Sequence, residues 1–506
     1  MTKAIVLGID SLDPHVLSKY AAVLPNFARL MQQSPTFLSE SVFPVDTIPA
    51  WQSIYTGLRP GNHGLLYVYD VFDPMFTGLE KVSIDHVKGK TFWDHLGRGG
   101  YRNVILFPQL MYPAWEVNGV MVSKSPLERT QDWLTTEVDV SACPEAVMKK
   151  YDIPHKHVSL WGGFPDDNRL GDWVELGKEV LEREKRMGLS LCRKENFDLF
   201  FMYFNLLDPI QHRLWRFFDQ RDPTYPGVTA FATTVLDYYK TFDDLVGDFI
   251  KAQPDASMLV LSDHGHQSRP ARTVNINEFL RKGGYITSVG RRKKALSVVR
   301  KGILDVSDKL NLEQFLIRLV ARNERLSKAS KSVYSSAGSI NRTKSRAFLS
   351  NFAGIKSYPH GGIEINRDGM TEEGYDKLRS ELITTLSELR TPDSLPLMKW
   401  IKRREDLDSG KFCERIYPDI LFEMREGYGV GWELFARPYG RAYDHKVASG
   451  GHGKDAVFLL RNVHKEVRDE VRDRAFSITN VAPSILDLFE IDWNALHLDG
   501  VSIFEQ

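Results

Sequence analysis

The sequence is poor in cysteine, with three cysteines among 506 residues. Cys143, Cys192 and Cys413 lie far apart, and none of them belongs to a Cys-x-x-Cys pair. This spacing argues against a disulfide framework and against a thiolate zinc site. We therefore expect three free thiols that behave as small hydrophobic side chains.

Long apolar runs and an excess of charge of either sign are also missing. No stretch approaches the roughly 18 apolar residues that span a bilayer, and the start, MTKAIVLGID, does not resemble a signal peptide. The formal net charge is zero, which argues against electrostatic binding of nucleic acid by the whole chain. We expect a cytoplasmic protein with no membrane span and no specific nucleic-acid site, while the oligomeric state stays open.

Apolar residues are plentiful, at 42%, and several short apolar runs end in polar residues, as buried parallel strands do. These runs are Ala4–Gly8, Asn103–Phe107, Gly119–Ser123, Phe197–Phe204, Met258–Leu261 and Ala456–Leu460. Helical patterns lie between them, at Leu24–Met31, Asp172–Cys192 and Val235–Ala252. Strands that alternate with helices predict an α/β fold with a doubly wound, mostly parallel sheet.

Acidic residues and histidines lie close to these runs, most of them just after the end of one. They are Asp10, Asp208, His212, Asp263, His264 and His452. Because function gathers at the carboxyl ends of parallel strands, we expect these side chains to meet. Three carboxylates and three imidazoles suit a pair of divalent metal ions, Zn²⁺ first and Mn²⁺ as its competitor. Taken singly, each acid could instead cap a helix, and each histidine could be structural.

Thr47 lies between Pro44 and Pro49, where the backbone is stiff. If a helix begins near Pro49, the Thr47 hydroxyl lies at its amino terminus, which favours an alkoxide and a bound anion. The alternative is that Thr47 is an N-cap and nothing more.

Two segments differ from the rest of the chain. Residues 291–346 hold 15 Lys/Arg against 4 Asp/Glu and include a helical pattern at Leu312–Val320, which predicts a basic, mainly helical cap at 287–346. This cap is either a solvated surface or a surface that attracts an anionic substrate, with nucleic-acid binding as a third alternative. Residues 361–433 predict an α+β insertion with a helix at Glu372–Leu389. The remainder, 1–286 and 347–506, forms the expected catalytic core.

The order of these motifs resembles the alkaline phosphatase superfamily, and within it the type I phosphodiesterase/nucleotide pyrophosphatase family. The resemblance rests on Asp10, Thr47-x-Pro49, the Thr56–Gly64 run, Asp208-x-x-x-His212, Asp263-His264-Gly265 and His452-Gly453. It extends to the tail, from Ile478 to Gly500. Asp208-Pro-Ile-Gln-His212 and Pro49-Ala-Trp51 are more similar to a poorly characterised prokaryotic branch than to the secreted nucleotide pyrophosphatases.

The resemblance implies a three-layer α/β/α core and a two-metal phosphodiesterase. Asp10, Thr47, Asp263 and His264 would hold one ion, and Asp208, His212 and His452 would hold the other. Thr47 would be the nucleophile that forms a phosphothreonine intermediate, and the substrate would be a small phosphate ester.

One position departs from the family pattern, because Ala50 stands where secreted members carry an asparagine that contacts a phosphate oxygen. That contact must come from elsewhere, such as backbone N–H groups near Thr47. Lys124, His63 and His266 are further candidates for contacting substrate. The alternatives to a phosphodiesterase are a phosphomonoesterase or phosphonate hydrolase on the same scaffold, and a non-catalytic binding protein that retains the fold.

Overall fold

The computed structural model describes residues 3–66, 84–125, 136–160, 164–288, 340–350, 352, 358–442, 445–472 and 475–505. Most of the basic segment, including the helix expected at Leu312–Val320, lies outside these residues. The strands are β1 (Ala4–Ile9), β2 (Leu38–Glu40), β3 (Asn103–Leu106), β4 (Gly119–Lys124), β5 (Thr136–Cys143), β6 (Lys156–Ser159), β7 (Leu199–Phe204), β8 (Ser257–Leu261), β9 (Gly265–Ser268), β10 (Arg272–Asn275), β11 (Ala347–Leu349), β12 (His360–Ile365), β13 (Met398–Arg403), β14 (Ile420–Met424), β15 (Tyr428–Gly431), β16 (Tyr439–Arg441), β17 (Gly450–Gly453), β18 (Asp455–Arg461) and β19 (Phe476–Ser477).

The α-helices alternate with these strands over the first half of the chain. They are α1 (Pro14–Lys19), α2 (Pro25–Gln33), α3 (Thr47–Thr56), α4 (Pro60–His63), α5 (Phe92–Arg98), α6 (Ala146–Lys150), α7 (Leu170–Lys194), α8 (Leu207–Phe218), α9 (Thr234–Ala252), α10 (Ile276–Lys282), α11 (Glu372–Ser387), α12 (Arg404–Leu407), α13 (Cys413–Ile416), α14 (Asp469–Arg472) and α15 (Val481–Leu488). No helix within the described ranges combines the length and apolarity needed to cross a bilayer.

The main sheet has ten strands in the order β19-β2-β18-β8-β1-β7-β3-β4-β5-β6. Its centre, β8-β1-β7-β3-β4, is entirely parallel. Residues along β1 alternate between two cores: Ile5 and Leu7 pack under α1, α2, α7, α8 and α9, whereas Val6 packs under α3, α5 and α15. Helices on both faces of a mostly parallel sheet confirm the three-layer α/β/α architecture.

One strand runs against the expectation. We predicted a parallel strand at Ala456–Leu460, but β18 is antiparallel to β8. The reason is a neighbouring antiparallel ribbon formed by β9 and β17. In the chain, β9 follows β8 and β17 precedes β18. The same two chain segments continue their antiparallel pairing from the ribbon into the main sheet.

A smaller antiparallel sheet, β11-β12-β14-β13, lies apart from the main one in the pairing scheme. Its core includes Leu378 and Leu382 of α11 and Leu280 of α10. The helix expected at Glu372–Leu389 is therefore present as α11, although the proposed domain boundaries themselves stay predictions.

Candidate metal centre

Six of the predicted ligands converge at the carboxyl ends of the central strands. Asp10 follows β1, Asp208 and His212 lie in α8 after β7, Asp263 and His264 lie between β8 and β9, and His452 lies in β17. All six side chains are almost completely buried. A buried cluster of three carboxylates and three imidazoles demands an electrostatic partner.

The three imidazoles are hydrogen-bonded in the same way. Each Nδ1 lies within hydrogen-bond distance of a backbone carbonyl oxygen, and because a carbonyl only accepts, each Nδ1 must carry the proton. The acceptors of His212, His264 and His452 are Gly450, Gly265 and Val45, at 2.7, 3.0 and 3.0 Å. Each Nε2 therefore turns a lone pair towards the cluster, as a metal-binding imidazole does.

Two of these lone pairs face each other, since His212 Nε2 and His452 Nε2 lie 3.0 Å apart. Asp208 Oδ1 lies 3.3 Å from the first nitrogen and 3.7 Å from the second. Two acceptors at this distance repel each other unless a cation or a proton lies near both. The three side chains form one group whose ligand atoms all lie within 4.8 Å of one another.

A second group of ligand atoms within 4.8 Å comprises Asp10, Asp208 and His264. His264 Nε2 lies 3.7 Å from Asp10 Oδ1 and 3.2 Å from Asp263 Oδ2. Asp10 Oδ1, Asp263 Oδ2 and both oxygens of Asp208 are buried and have no hydrogen-bond donor in the described part of the chain. Bare carboxylate oxygens beside basic imidazole nitrogens fit a divalent cation in each group.

The pKa values of the clustered carboxyl groups are shifted first by burial and then by their charged neighbours. Burial, together with the neighbouring carboxylates, raises the pKa of Asp10 and of Asp263 well above the usual value. Burial alone would also raise the pKa of Asp208, but the adjacent imidazoles, in their protonated forms, hold it below its usual value. Burial lowers the pKa of His264 to about 4, so this imidazole is neutral near pH 7.

Thr47 is the first residue of α3, two residues earlier than the start expected near Pro49. The N-cap is Asp46, whose carboxylate accepts a hydrogen bond from Ile48 N at 3.5 Å. The simple capping role considered for Thr47 thus belongs to its neighbour. Thr47 Oγ1 lies 3.2 Å from His264 Nε2, which brings the hydroxyl into the second ligand group.

The three candidate substrate contacts are held in other ways. Lys124 Nζ pairs with Glu184 at 2.7 Å, and the ammonium lies over the ring of Phe107. His63 is buried behind α3, where its Nε2 lies 3.2 Å from Ser53 Oγ. The structure thus gives Lys124 and His63 internal partners.

His266 borders the cluster. Its Nδ1 lies 2.8 Å from Ser11 Oγ and 3.8 Å from Asp208 Oδ1. Of the three candidates, His266 is therefore the one placed next to a predicted metal ligand.

Two supporting residues were missed by reasoning from sequence. The hydroxyl of Tyr203, in β7, donates a hydrogen bond to Asp10 Oδ2. Ser11, which has a positive φ of 62°, donates its backbone N–H to Asp263 Oδ1 at 3.1 Å. Within the run FDLFFMYF, Tyr203 carries no signal that separates it from an ordinary core aromatic residue.

Two solved structures of a phosphonoacetate hydrolase show the same fold. Phosphonoacetate hydrolase from Sinorhizobium meliloti 1021, in complex with phosphonoacetate, superposes with a TM-score of 0.52 at 15% identity, covering 95% of this chain and 94% of that one. Its complex with phosphonoformate gives a TM-score of 0.50 at the same identity and coverage. Human ectonucleotide pyrophosphatase/phosphodiesterase 5 gives 0.47 at 14% identity, covering 98% and 99% of the two chains.

Comparison with curated protein sequences found no match. The family model for type I phosphodiesterase/nucleotide pyrophosphatase, in contrast, matches residues 4–431. That range contains five of the six clustered carboxylates and imidazoles together with Thr47, and His452 follows it. The chain therefore belongs to the type I phosphodiesterase/nucleotide pyrophosphatase family, which comprises metal-dependent phosphoester hydrolases.

Proposed function

We propose that the protein hydrolyses a phosphate diester at a two-metal site through a phosphothreonine intermediate on Thr47. The observation that carries the proposal is the position of the Thr47 hydroxyl, 3.2 Å from His264 Nε2 beside buried, bare carboxylate oxygens. A hydroxyl in this position lies next to groups that can bind a metal ion. A bound metal ion would lower the pKa of the hydroxyl.

The ligands divide between two positions. Asp10, Thr47, Asp263 and His264 would hold one ion, and Asp208, His212 and His452 the other. Asp208 also belongs to the group with Asp10 and His264, so this carboxylate lies between the two positions. Zn²⁺ suits the mixed N/O ligands best, with Mn²⁺ as the alternative. When bound, the ions would lower the pKa of the hydroxyl and of the attacking water and offset the negative charge on the phosphoryl oxygens.

The protein's own groups supply orientation. Thr47 Oγ1 would attack phosphorus, a new O–P bond would form, and the ester bond to the leaving alcohol would break. Water would then attack the phosphothreonine and release Thr47. Because α3 begins at Thr47, the positive end of its helix dipole would stabilise the phosphoryl oxygens, since Ala50 has no side-chain amide, Pro49 has no N–H, and the N–H groups of Ile48 and Ala50 already donate to Asp46.

Thr47→Ala tests the nucleophile directly. We expect this change to lower kcat for bis-p-nitrophenyl phosphate by about a thousandfold or more, because the covalent path is lost. The metal content, measured by mass spectrometry of the purified protein, should change little. The monoester p-nitrophenyl phosphate, tested in parallel, measures the preference between diester and monoester.

Thr56→Ala is the matched control, because Thr56 lies in the same helix and its hydroxyl donates to Gln52 O at 2.7 Å. It should retain activity within a few-fold. If Thr47→Ala also remained within a few-fold of the wild type, Thr47 would not be the nucleophile. Less than one metal ion per wild-type chain would contradict the two-metal site.

A further inference from the structure

Two buried arginines lie on α8, the helix that carries Asp208 and His212. Arg213 is fully buried and Arg216 is 8% exposed. Both guanidinium groups contact one carboxylate, that of Asp167: Arg213 Nη2 donates to Oδ1, and Arg216 Nη2 donates to Oδ2 at 2.7 Å. Asp167 itself begins a short 3₁₀ helix, Asp167–Arg169, and its side chain is 53% exposed. Two buried guanidinium groups thus share one half-exposed carboxylate as their direct partner, with the charge of Asp166 also acting on Arg213.

The arginine pair also has unused hydrogen-bond donors. Arg213 Nε donates to the carbonyl oxygen of Pro165 at 3.1 Å. Arg213 Nη1 and Arg216 Nε are buried and have no acceptor among the residues that the structure describes. Because buried charged donors are costly to leave unsatisfied, the pair suits a further anionic acceptor.

The pair lies beside the metal centre. Asp208, His212 and Arg216 are spaced four residues apart, so they share one face of α8. The guanidinium group of Arg216 is directed at Asp167.

A second contact links the same region to the metal centre. Arg216 N donates to Ser449 Oγ at 2.8 Å, and the following residue, Gly450, accepts from His212. On the other side, the ring of Phe164, which lies on the same segment as Asp167, is 6.4 Å from the ring of His212. The arginine pair therefore borders the His212 side of the cluster.

We infer that Arg213 and Arg216 form a subsite for a second anionic group of the substrate, a carboxylate or a phosphate. Asp167 holds this subsite in the absence of substrate and gives way when the anion binds. The planar forks of two guanidinium groups match the oxygens of either anion. The inference rests on the proposed function for the position of the substrate's phosphoryl group, and it narrows the substrate class to phosphate esters with two anionic groups.

Asp167 is able to compete with such an anion. Burial alone would raise its pKa, but the two guanidinium groups hold the pKa below the usual value, so the carboxylate is charged near pH 7. Removing its charge should therefore strengthen the binding of a second anion, whereas removing an arginine should weaken it. A purely structural ion pair predicts no such opposite signs.

Calorimetry on the metal-loaded protein tests this inference without turnover. The probes are phosphonates with one, two or three methylenes that end in a carboxylate, a second phosphonate or a methyl group. At one of these chain lengths, the probe with an anionic end should bind the wild-type protein at least about tenfold more tightly than the probe with a methyl end. A difference of this size corresponds to one charged hydrogen bond. The carboxylate and phosphonate arms distinguish the two kinds of anion.

Three variants complete the test. Arg216→Met should reduce the preference for the anionic end to about twofold or less, and Asp167→Asn should increase it several-fold. Arg221→Met, at a side chain that is 89% exposed, should leave it unchanged. Asp167→Asn changes a half-exposed residue and keeps the test valid if Arg216→Met does not fold.

The proposed subsite would be overturned if the carboxylate, phosphonate and methyl probes bound equally well at every chain length. It would also be overturned if Asp167→Asn bound the anionic probes more weakly than wild type does. These outcomes are separate from a failure of the proposed function, which would appear as a wild-type protein that binds the phosphonates but hydrolyses neither ester.

Discussion

Tyr203 determines the position of one predicted metal ligand. Its side chain is buried, its hydroxyl donates to Asp10 Oδ2, and its ring packs edge-on against Trp51 at 4.9 Å. Trp51 in turn fills the space that Gly8 leaves open, since a Cβ there would lie 2.6 Å from the indole. The hydrogen bond fixes Asp10 so that its other oxygen, Oδ1, is directed at the cluster.

Tyr203→Phe should weaken metal binding by about 10- to 100-fold, because partners that orient metal ligands have effects of this size. A competition titration with a chromogenic chelator measures this affinity. Tyr238→Phe is the control, since Tyr238 is equally buried and its hydroxyl donates to Val174 O at 2.7 Å. If both variants changed the affinity equally, the hydrogen bond to Asp10 would have no special role.

At this scale the sequence could identify the carboxylates and imidazoles that meet in the cluster, but not the groups that support them. Asp10, Asp263 and His264 could be found because their chemistry is rare at strand ends. Tyr203 could not, because a hydroxyl in an apolar run has no pattern of its own. The carbonyl oxygens of Val45 and Gly450 were equally hidden, since every residue has one and only the fold selects among them.

Among the elements, the ribbon of β9 and β17 has the largest effect on the site. It places His266 opposite His452, and Gly450 at its start accepts the Nδ1 proton of His212. Gly450 allows this close packing, because a Cβ there would lie 2.2 Å from His266 Nε2 and 2.5 Å from Gln211 O. The second of these contacts is backbone and cannot move aside easily.

Gly450→Ala should therefore displace β17 and lower kcat/KM for bis-p-nitrophenyl phosphate by about 100-fold, since misplaced catalytic geometry has effects of this size. Gly451→Ala is the neighbouring control, because a Cβ there meets its nearest atoms at 3.4 Å, an ordinary contact. Kinetics of the two variants, with metal content measured for each, provide the comparison. Equal activities in the two would show that the ribbon tolerates displacement.

The strands also show what the sequence patterns can and cannot predict. The apolar runs located every strand of the parallel centre, because a strand buried on both faces is continuously apolar. They could not give the direction of β18, since an apolar run reads the same in either orientation. Its direction depends on the β9–β17 pairing, which joins residues almost 200 positions apart.

Across the whole molecule, metal binding should contribute to the stability of the fold. In the metal-free protein, the folded-state pKa values of Asp10 and Asp263 are raised above their unfolded values. As pH rises above about 4, the unfolded chain loses these protons first, so these two carboxyls make the metal-free fold less stable with increasing pH. His264, His266 and His452, whose pKa values are lowered by burial, have the opposite effect up to about pH 6.5. By compensating their charge, a divalent cation removes the loss of stability that the two carboxyls cause.

The gain in Tm on adding Zn²⁺ should therefore grow between about pH 5 and pH 8. At 100 times the dissociation constant, the added stability is about 2.7 kcal/mol. His264, with its pKa lowered to about 4, stays neutral throughout this range and does not compete through its own protonation. Thermal unfolding with chelator and with Zn²⁺ at each pH measures the gain, and a gain that fell with rising pH would contradict the assignment.

The hydrogen bond from His452 Nδ1 to Val45 O joins residues 407 positions apart. During translation, which adds about 5–20 residues per second, His452 emerges roughly 20 to 80 s after Val45. Throughout that interval Asp10 and Thr47 are already outside the ribosome, while the ligand set is incomplete. A cation that binds early would meet only part of the proposed ligand set, so the proposed site is completed only late in the synthesis of the chain.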